Sequence, residues 1–141
     1  MNSTLEFLNK LKKVYRHLCQ ETIKKHHLTM MEFDIIMFLY NNPDLDGAKD
    51  IVNKKGFIKS QVSMTIETLV KKNLITVEQD ENDKRKNHLK LLENTNEIIK
   101  DGKDILNQFN NIVFQNISKE EKDVFHIIMM KIHQNMEDFK C

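Results

Sequence analysis

Breakers of regular structure are scarce in this chain of 141 residues, which has one proline, three glycines and a single alanine. Such a composition argues against disorder, collagen-like repeats and loop-rich β architectures, and favours long helices. No apolar run approaches the roughly 18 residues of a membrane span. The polar start MNSTLEFLNK has no signal-peptide core. A cytoplasmic protein with no membrane partner is expected. The two cysteines, Cys19 and Cys141, lie far apart and show neither metal nor disulfide spacing. Catalytic signatures are missing too: there is no Gly-rich phosphate loop, nucleophile elbow or metalloprotease motif. Neither an enzyme nor a bound cofactor is expected.

What is present suits one globular domain. Hydrophobic residues make up 40% and charged residues 30%. A chain of this length buries roughly two-thirds of its unfolded surface, enough for a real core. The net charge of +1 hides an asymmetry, because residues 1–46 sum to 0, residues 47–90 to +4 and residues 91–141 to −3. A basic middle between neutral and acidic flanks suits an anionic partner, and nucleic acid is the commonest.

Four spacings announce helix starts: Ser3-x-x-Glu6, Thr29-x-x-Glu32, Asn94-x-x-Glu97 and Ser118-x-x-Glu121. Each places a capping oxygen three residues before a carboxylate that reaches back to the cap. The first segment carries Leu8, Leu11, Tyr15, Leu18 and Thr22 on one face and runs to about His26. Met30 to Tyr40 is almost wholly apolar, which predicts a buried central helix ending at Asn41-Asn42-Pro43. A short helix from Gly47 to Lys55 stops at Gly56, and another runs from Ser60 to Lys72 with Val62, Ile66, Leu69 and Val70 turned inward. At Leu74 the period changes. Leu74 to Val77 and His88 to Leu92 predict two strands about the polar turn Asp80 to Asp83. Beyond them Ile98, Gly102, Ile105, Phe109, Ile112 and Asn116 step by four and three, a coiled-coil-like seam. The last helix, Lys119 to Phe139, carries an apolar stripe wider than one neighbour covers, with Ile127 and Met130 added to Val124, Phe125, Ile128, Met129, Ile132 and Met136.

Two short helices and a hairpin inside the basic stretch are the parts of a winged helix-turn-helix. The segment Lys59 to Lys72 sets Val62, Ile66 and Leu69 on one side. Its other side offers Lys59, Ser60, Gln61, Ser63, Met64, Thr65 and Thr68, side chains suited to base edges in a major groove. Helix packing remains the alternative use of the Ser63 hydroxyl. The hairpin tip adds Lys84, Arg85 and Lys86.

The sequence here resembles the multiple-antibiotic-resistance regulator (MarR) family over nearly the whole chain. The matching pieces are Leu28-Thr29, Ser60-x-Val62-Ser63, Leu69-x-Lys71-Lys72-x-Leu74-Ile75 and Asp80-x-x-Asp83-x-Arg85. The resemblance implies a mainly α fold with a small β-hairpin wing. A winged-helix DNA-binding part, residues 28–92, would lie between dimerisation helices at 1–27 and 94–141. It implies a homodimer on a pseudo-palindromic stretch of double-stranded DNA, with Asp83 holding Arg85 for the minor groove. It also implies repression released by a small-molecule effector, in a cleft to which position assigns Tyr15, His17, Met37 and Tyr40. The family usually has Gly where Asn73 stands and Arg where Val77 stands, and the Thr and Gly after its second strand are Leu92 and Thr95 here. Asn accepts a left-handed helix cap, whereas Val77 removes a phosphate contact.

Other readings stay open. One is a protein-interaction module that kept the dimeric fold and lost DNA binding; another is a metal-responsive or architectural variant. Cys19 reads as a small buried hydrophobe, with a redox sensor as the alternative. His26 and His27 with Glu32, and His126 with His133, are the only histidine groupings, and neither spacing makes a compact metal site by itself.

Overall fold

The computed structural model describes residues 3–141. Its elements, in order, are α1 (Thr4–Lys25), α2 (Met30–Asn41), α3 (Ala48–Lys55), α4 (Lys59–Lys71), β1 (Ile75–Gln79), β2 (Asn87–Leu91), a 3-10 turn (Glu93–Thr95), α5 (Asn96–Val113) and α6 (Lys119–Asp138). The chain forms two compact units, the first ending at Leu106 and the second starting at Asn107.

In the first unit α2 is the axis. Phe33, Ile35, Ile36, Phe38 and Leu39 are buried on several of its faces, as an apolar run predicts. Ile51 of α3, Val62, Ile66 and Leu69 of α4, Ile75 of β1, Leu89 of β2 and Ile98, Ile99 and Ile105 of α5 complete the core. Gly102 admits the Met37 thioether so closely that an added Cβ would stand 2.5 Å from the sulfur. β1 and β2 pair antiparallel, with Ile75 opposite Leu91 and Gln79 opposite Asn87. Val70 departs from the expectation. It is 39% exposed, because the inward face of α4 is already filled at steps of four and three by Val62, Ile66 and Leu69.

The helix starts follow the capping chemistry at three of four places. Ser3 accepts the Glu6 N–H. Thr29 and Ser118 form reciprocal boxes with Glu32 and Glu121. Asn94 does not cap a helix. The 3-10 turn winds the chain before α5, the Thr95 hydroxyl donates to the Leu92 carbonyl at 2.6 Å, and the Asn94 amide is taken by the Asn73 carbonyl at 3.1 Å. A bond absent from the expectations starts α3, where the Gly47 N–H donates to the Asp50 carboxylate at 3.1 Å.

Glu32 is the one buried carboxylate among the described residues, at 3% exposure. Its Oε1 accepts the Thr29 N–H, while its Oε2 accepts the Lys72 ammonium at 2.7 Å. Lys72 donates also to the His27 carbonyl at 2.8 Å. The end of α4 is thereby tied to the start of α2, and the next residue, Asn73, turns left-handed at φ 58°, as an Asn at this cap position can.

In the second unit, α6 begins at the Ser118 box and has no buried residue. Phe114 meets Phe125 edge to face at 5.9 Å, and the Lys122 ammonium lies 5.7 Å from the Phe114 ring centre. Val124, Ile127, Ile128, Met129, Met130, Ile132 and Met136 are all exposed. The expected seam is shorter than its spacing suggests. α5 ends at Val113 and Asn116 turns left-handed at φ 60°, a conformation that breaks the helical step.

Removing the cation from the Glu32 pair strands a buried charge. Lys72→Met should lower stability by about 1–3 kcal/mol in urea denaturation, below the usual cost of a fully buried pair because the lysine is partly solvated. Combining it with Glu32→Gln should recover part of the loss. Equal stability of Lys72→Met and the parent would show that the pair does not hold the helices.

Candidate nucleic-acid interface

α4 divides as its sequence divides. Val62, Ile66 and Leu69 face the core, while Lys59, Ser60, Gln61, Ser63, Met64 and Thr68 are exposed and Thr65 is half-buried. Two hydroxyls are already committed: Thr65 donates to the Gln61 carbonyl at 2.7 Å, and Thr68 to the Met64 carbonyl at 3.1 Å. A hydroxyl has one proton and two lone pairs. Both threonines therefore offer an acceptor and a methyl group outward. The Gln61 amide keeps both donor and acceptor in the two-point geometry that suits adenine. Met64, 68% exposed, adds a flexible apolar contact.

The hairpin tip is organised by two aspartates. Asp80 Oδ2 accepts the N–H groups of Asn82 and Asp83, at 3.0 and 2.9 Å. Asp83 Oδ1 in turn accepts both the backbone N–H and the Nε of Arg85, at 3.0 and 3.3 Å. The Arg85 side chain is 92% exposed, so its charged end projects into solvent from a tethered base. Lys84 and Lys86 flank it and are exposed. The Asp83–Arg85 bond that the resemblance implies is present.

Other contacts were invisible in local spacing. His88 Nδ1 lies 2.9 and 3.0 Å from the two Asp46 oxygens, and Nε2 lies 2.6 Å from Asp80 Oδ1. The 42 residues between Asp46 and His88 hide that partnership from any motif. Lys72 and its partner Glu32 are likewise 40 residues apart.

The four residues assigned to an effector cleft occupy different settings. Tyr15 bonds with Cys19, and burial pushes its hydroxyl pKa up. Met37 fills the space over Gly102. The Lys103 ammonium lies 4.7 Å from the Tyr40 ring centre. His17 lines an open hollow of about 530 Å³ on α1 with Asn9, Lys12, Lys13, Arg16 and Gln20; the other three do not line it. Among the described residues, no group of three or more His, Cys, Asp or Glu is placed to hold a metal ion. His26 is bonded to Asp101 at 2.7 Å.

A sequence model of the MarR family matches residues 26–86, the span from the end of α1 to the tip of the hairpin. Over that span the chain is similar to the MarR family. Solved structures extend the likeness in fold. The MarR protein from Peptoclostridium difficile has a TM-score of 0.81 at 22% identity, covering 98% of this chain and 90% of its own. A MarR family transcriptional regulator from Listeria monocytogenes, complexed with a 26mer DNA, has a TM-score of 0.84 at 17% identity and covers 98% and 91%. BpsR from Bordetella bronchiseptica, whose DNA binding is regulated by 6-hydroxynicotinic acid, has 0.69 at 19% and covers 99% and 96%. Among the described residues, no helix is long and apolar enough to cross a membrane.

The two thiols of the chain differ sharply. Cys19 is buried at 0% exposure, and burial pushes its thiol up to about 11; Cys141 is exposed. The thiolate is the reactive form. A colorimetric thiol reagent near neutral pH should modify one cysteine per folded chain rapidly, with Cys19 reacting only on unfolding. Equal rates at both cysteines would contradict the buried, inert assignment.

Proposed function

We propose that the chain is a homodimeric, cytoplasmic, DNA-binding transcriptional regulator without enzymatic activity. In this reading it represses from a pseudo-palindromic operator until a small effector releases it. The tethering of Arg85 by Asp83 carries the reading. A guanidinium held at its base and bare at its end suits a narrow minor groove, where the negative potential is strongest. Beside it, the exposed face of α4 supplies short polar and apolar side chains of major-groove size. The DNA complex of the Listeria relative and the regulated DNA binding of BpsR support the class of partner.

Dimerisation through the terminal helices is supported by apolar surface. Leu5 and Phe7 of α1 are 72% and 51% exposed, and Met130 and Met136 of α6 are 60% and 61% exposed. Faces of this kind call for a covering partner, and a second copy of the chain supplies it with symmetry. Tyr15, His17, Met37 and Tyr40 remain the proposed effector contacts. One observation favours the rival interaction module: Val77, where the family usually has Arg, is 43% exposed and apolar on β1.

Titration of one operator duplex over a salt series separates the readings. The parent should saturate at two chains per duplex with a steep salt dependence. Arg85→Ala should weaken binding and make the slope shallower by about one unit, the loss of one cationic contact. Asp83→Ala keeps the cation, so its slope should stay near the parent value while affinity falls through lost positioning. Arg85→Ala binding like the parent at every salt concentration would remove the wing from the interface. Absence of salt-dependent binding by the parent would leave the interaction module.

A further inference from the structure

We propose that His88 is the positioning residue of the wing: its imidazolium, clamped between Asp46 and Asp80, holds the turn that carries Arg85, so duplex binding depends on one proton at the wing. This inference rests on the DNA-binding reading above.

The contacts form a continuous chain. Asp46, in the loop before α3, faces His88 Nδ1 through its carboxylate at 2.9 and 3.0 Å. It also receives the Leu89 N–H on its backbone carbonyl at 2.8 Å. Asp80 Oδ1 faces the other ring nitrogen at 2.6 Å. The second Asp80 oxygen holds the N–H groups of Asn82 and Asp83, and Asp83 holds Arg85 through two bonds. Thus the loop, the ring and the turn are one hydrogen-bonded line ending at the guanidinium.

The ring must be charged to complete that line. A carboxylate only accepts, and only the imidazolium donates from both nitrogens. The neutral ring keeps one donor and turns a lone pair toward the other carboxylate. Glu78 stands opposite His88 in register on β1, and its carboxylate accepts from Lys90 at 2.8 Å. Bonds from Asp80 and then Asp46 hold the His88 pKa above its ordinary 6.5. The His88 bond, followed by the N–H groups of Asn82 and Asp83, brings Asp80 down to about 2.

The sign follows from these directions. A raised histidine contributes fully below 6.5 and loses its contribution as pH rises through its raised value. A depressed aspartate contributes above 3.8 and loses it only as pH falls through about 2. The clamp is therefore closed below 6.5 and opens as pH rises through the raised His88 value.

The test is duplex affinity of the full chain from roughly pH 6 to 9 at fixed salt, with NMR titration of the His88 ring and the amides of residues 80–86 in the free protein. Parent affinity should fall as pH rises, by up to about tenfold per unit of pKa difference between bound and free protein. His88→Gln should bind more weakly with a flat profile. Asp46→Asn decides between positioning and simple attraction. It removes a negative charge, which alone would strengthen binding to phosphate, yet the clamp predicts several-fold weaker binding and a flatter profile. The asparagine is close in size to aspartate and keeps the backbone carbonyl that holds Leu89.

Asp46→Asn binding as tightly as the parent with the parent's pH profile would overturn the proposal. So would a His88 ring that titrates at its ordinary value, or tip amides that do not follow it. A parent that binds no duplex at any salt concentration would instead overturn the DNA reading, and the titration of ring and tip amides, which needs no DNA, would still decide the clamp.

Discussion

Glu32 is nearly inaccessible to water, yet both its oxygens are engaged, one by the Thr29 N–H and one by the Lys72 ammonium. The start of α2 and the end of α4 cannot separate without leaving a charge in an apolar setting, which is among the costliest events in a protein interior. The chain's exit from α4 toward β1 starts at this tie. Asn73 turns the chain left-handed, and Leu74, whose N–H bonds the Leu69 carbonyl, leads into β1. The hairpin therefore leaves α4 from a fixed corner. The same residues explain why α4 can spend its outer face on short, solvated side chains: its inner face, through Val62, Ile66 and Leu69, supplies the packing.

The wing applies a complementary rule. Its tip has almost no apolar content, so its shape comes from aspartate side chains bonded to backbone N–H groups, a turn chemistry available to few residue types. Asp80 and Asp83 divide this work, and the cations Lys84, Arg85 and Lys86 remain at the surface. Rigid acidic anchors under exposed basic groups present positive charge without letting it fold back onto the hairpin. Preorganisation of this kind reduces the ordering cost of binding.

Much of this was legible in the sequence, for reasons that vary by residue. The burial of α2 on several faces was read from its almost wholly apolar sequence, and the Thr29 and Ser118 boxes from a three-residue spacing, because both signals are local. The Asp83 and Arg85 pair was legible through the family resemblance, not through spacing. Asn94 misled because a capping spacing does not reveal that a 3-10 turn precedes the helix and that a distant carbonyl claims the side chain. Asn116 misled because periodicity says nothing of a left-handed residue that ends the step. Lys72 with Glu32 and His88 with Asp46 are separated by 40 and 42 residues, and each depends on tertiary folding to meet. The proposed effector residues are the least legible. Tyr15, Met37 and Tyr40 are helical side chains whose types serve a core as well as a cleft, and Met37 indeed packs over Gly102.

The central claim is that α4 and the hairpin tip act together on one DNA duplex. Amide hydrogen exchange of the full chain, with and without an operator duplex selected from random sequence, tests it most directly. The account predicts that residues 59–68 and 80–86 gain protection together, with the change at both segments following the same duplex titration. Protection confined to the terminal helices, or protection of one segment with the other unchanged at saturation, would contradict it.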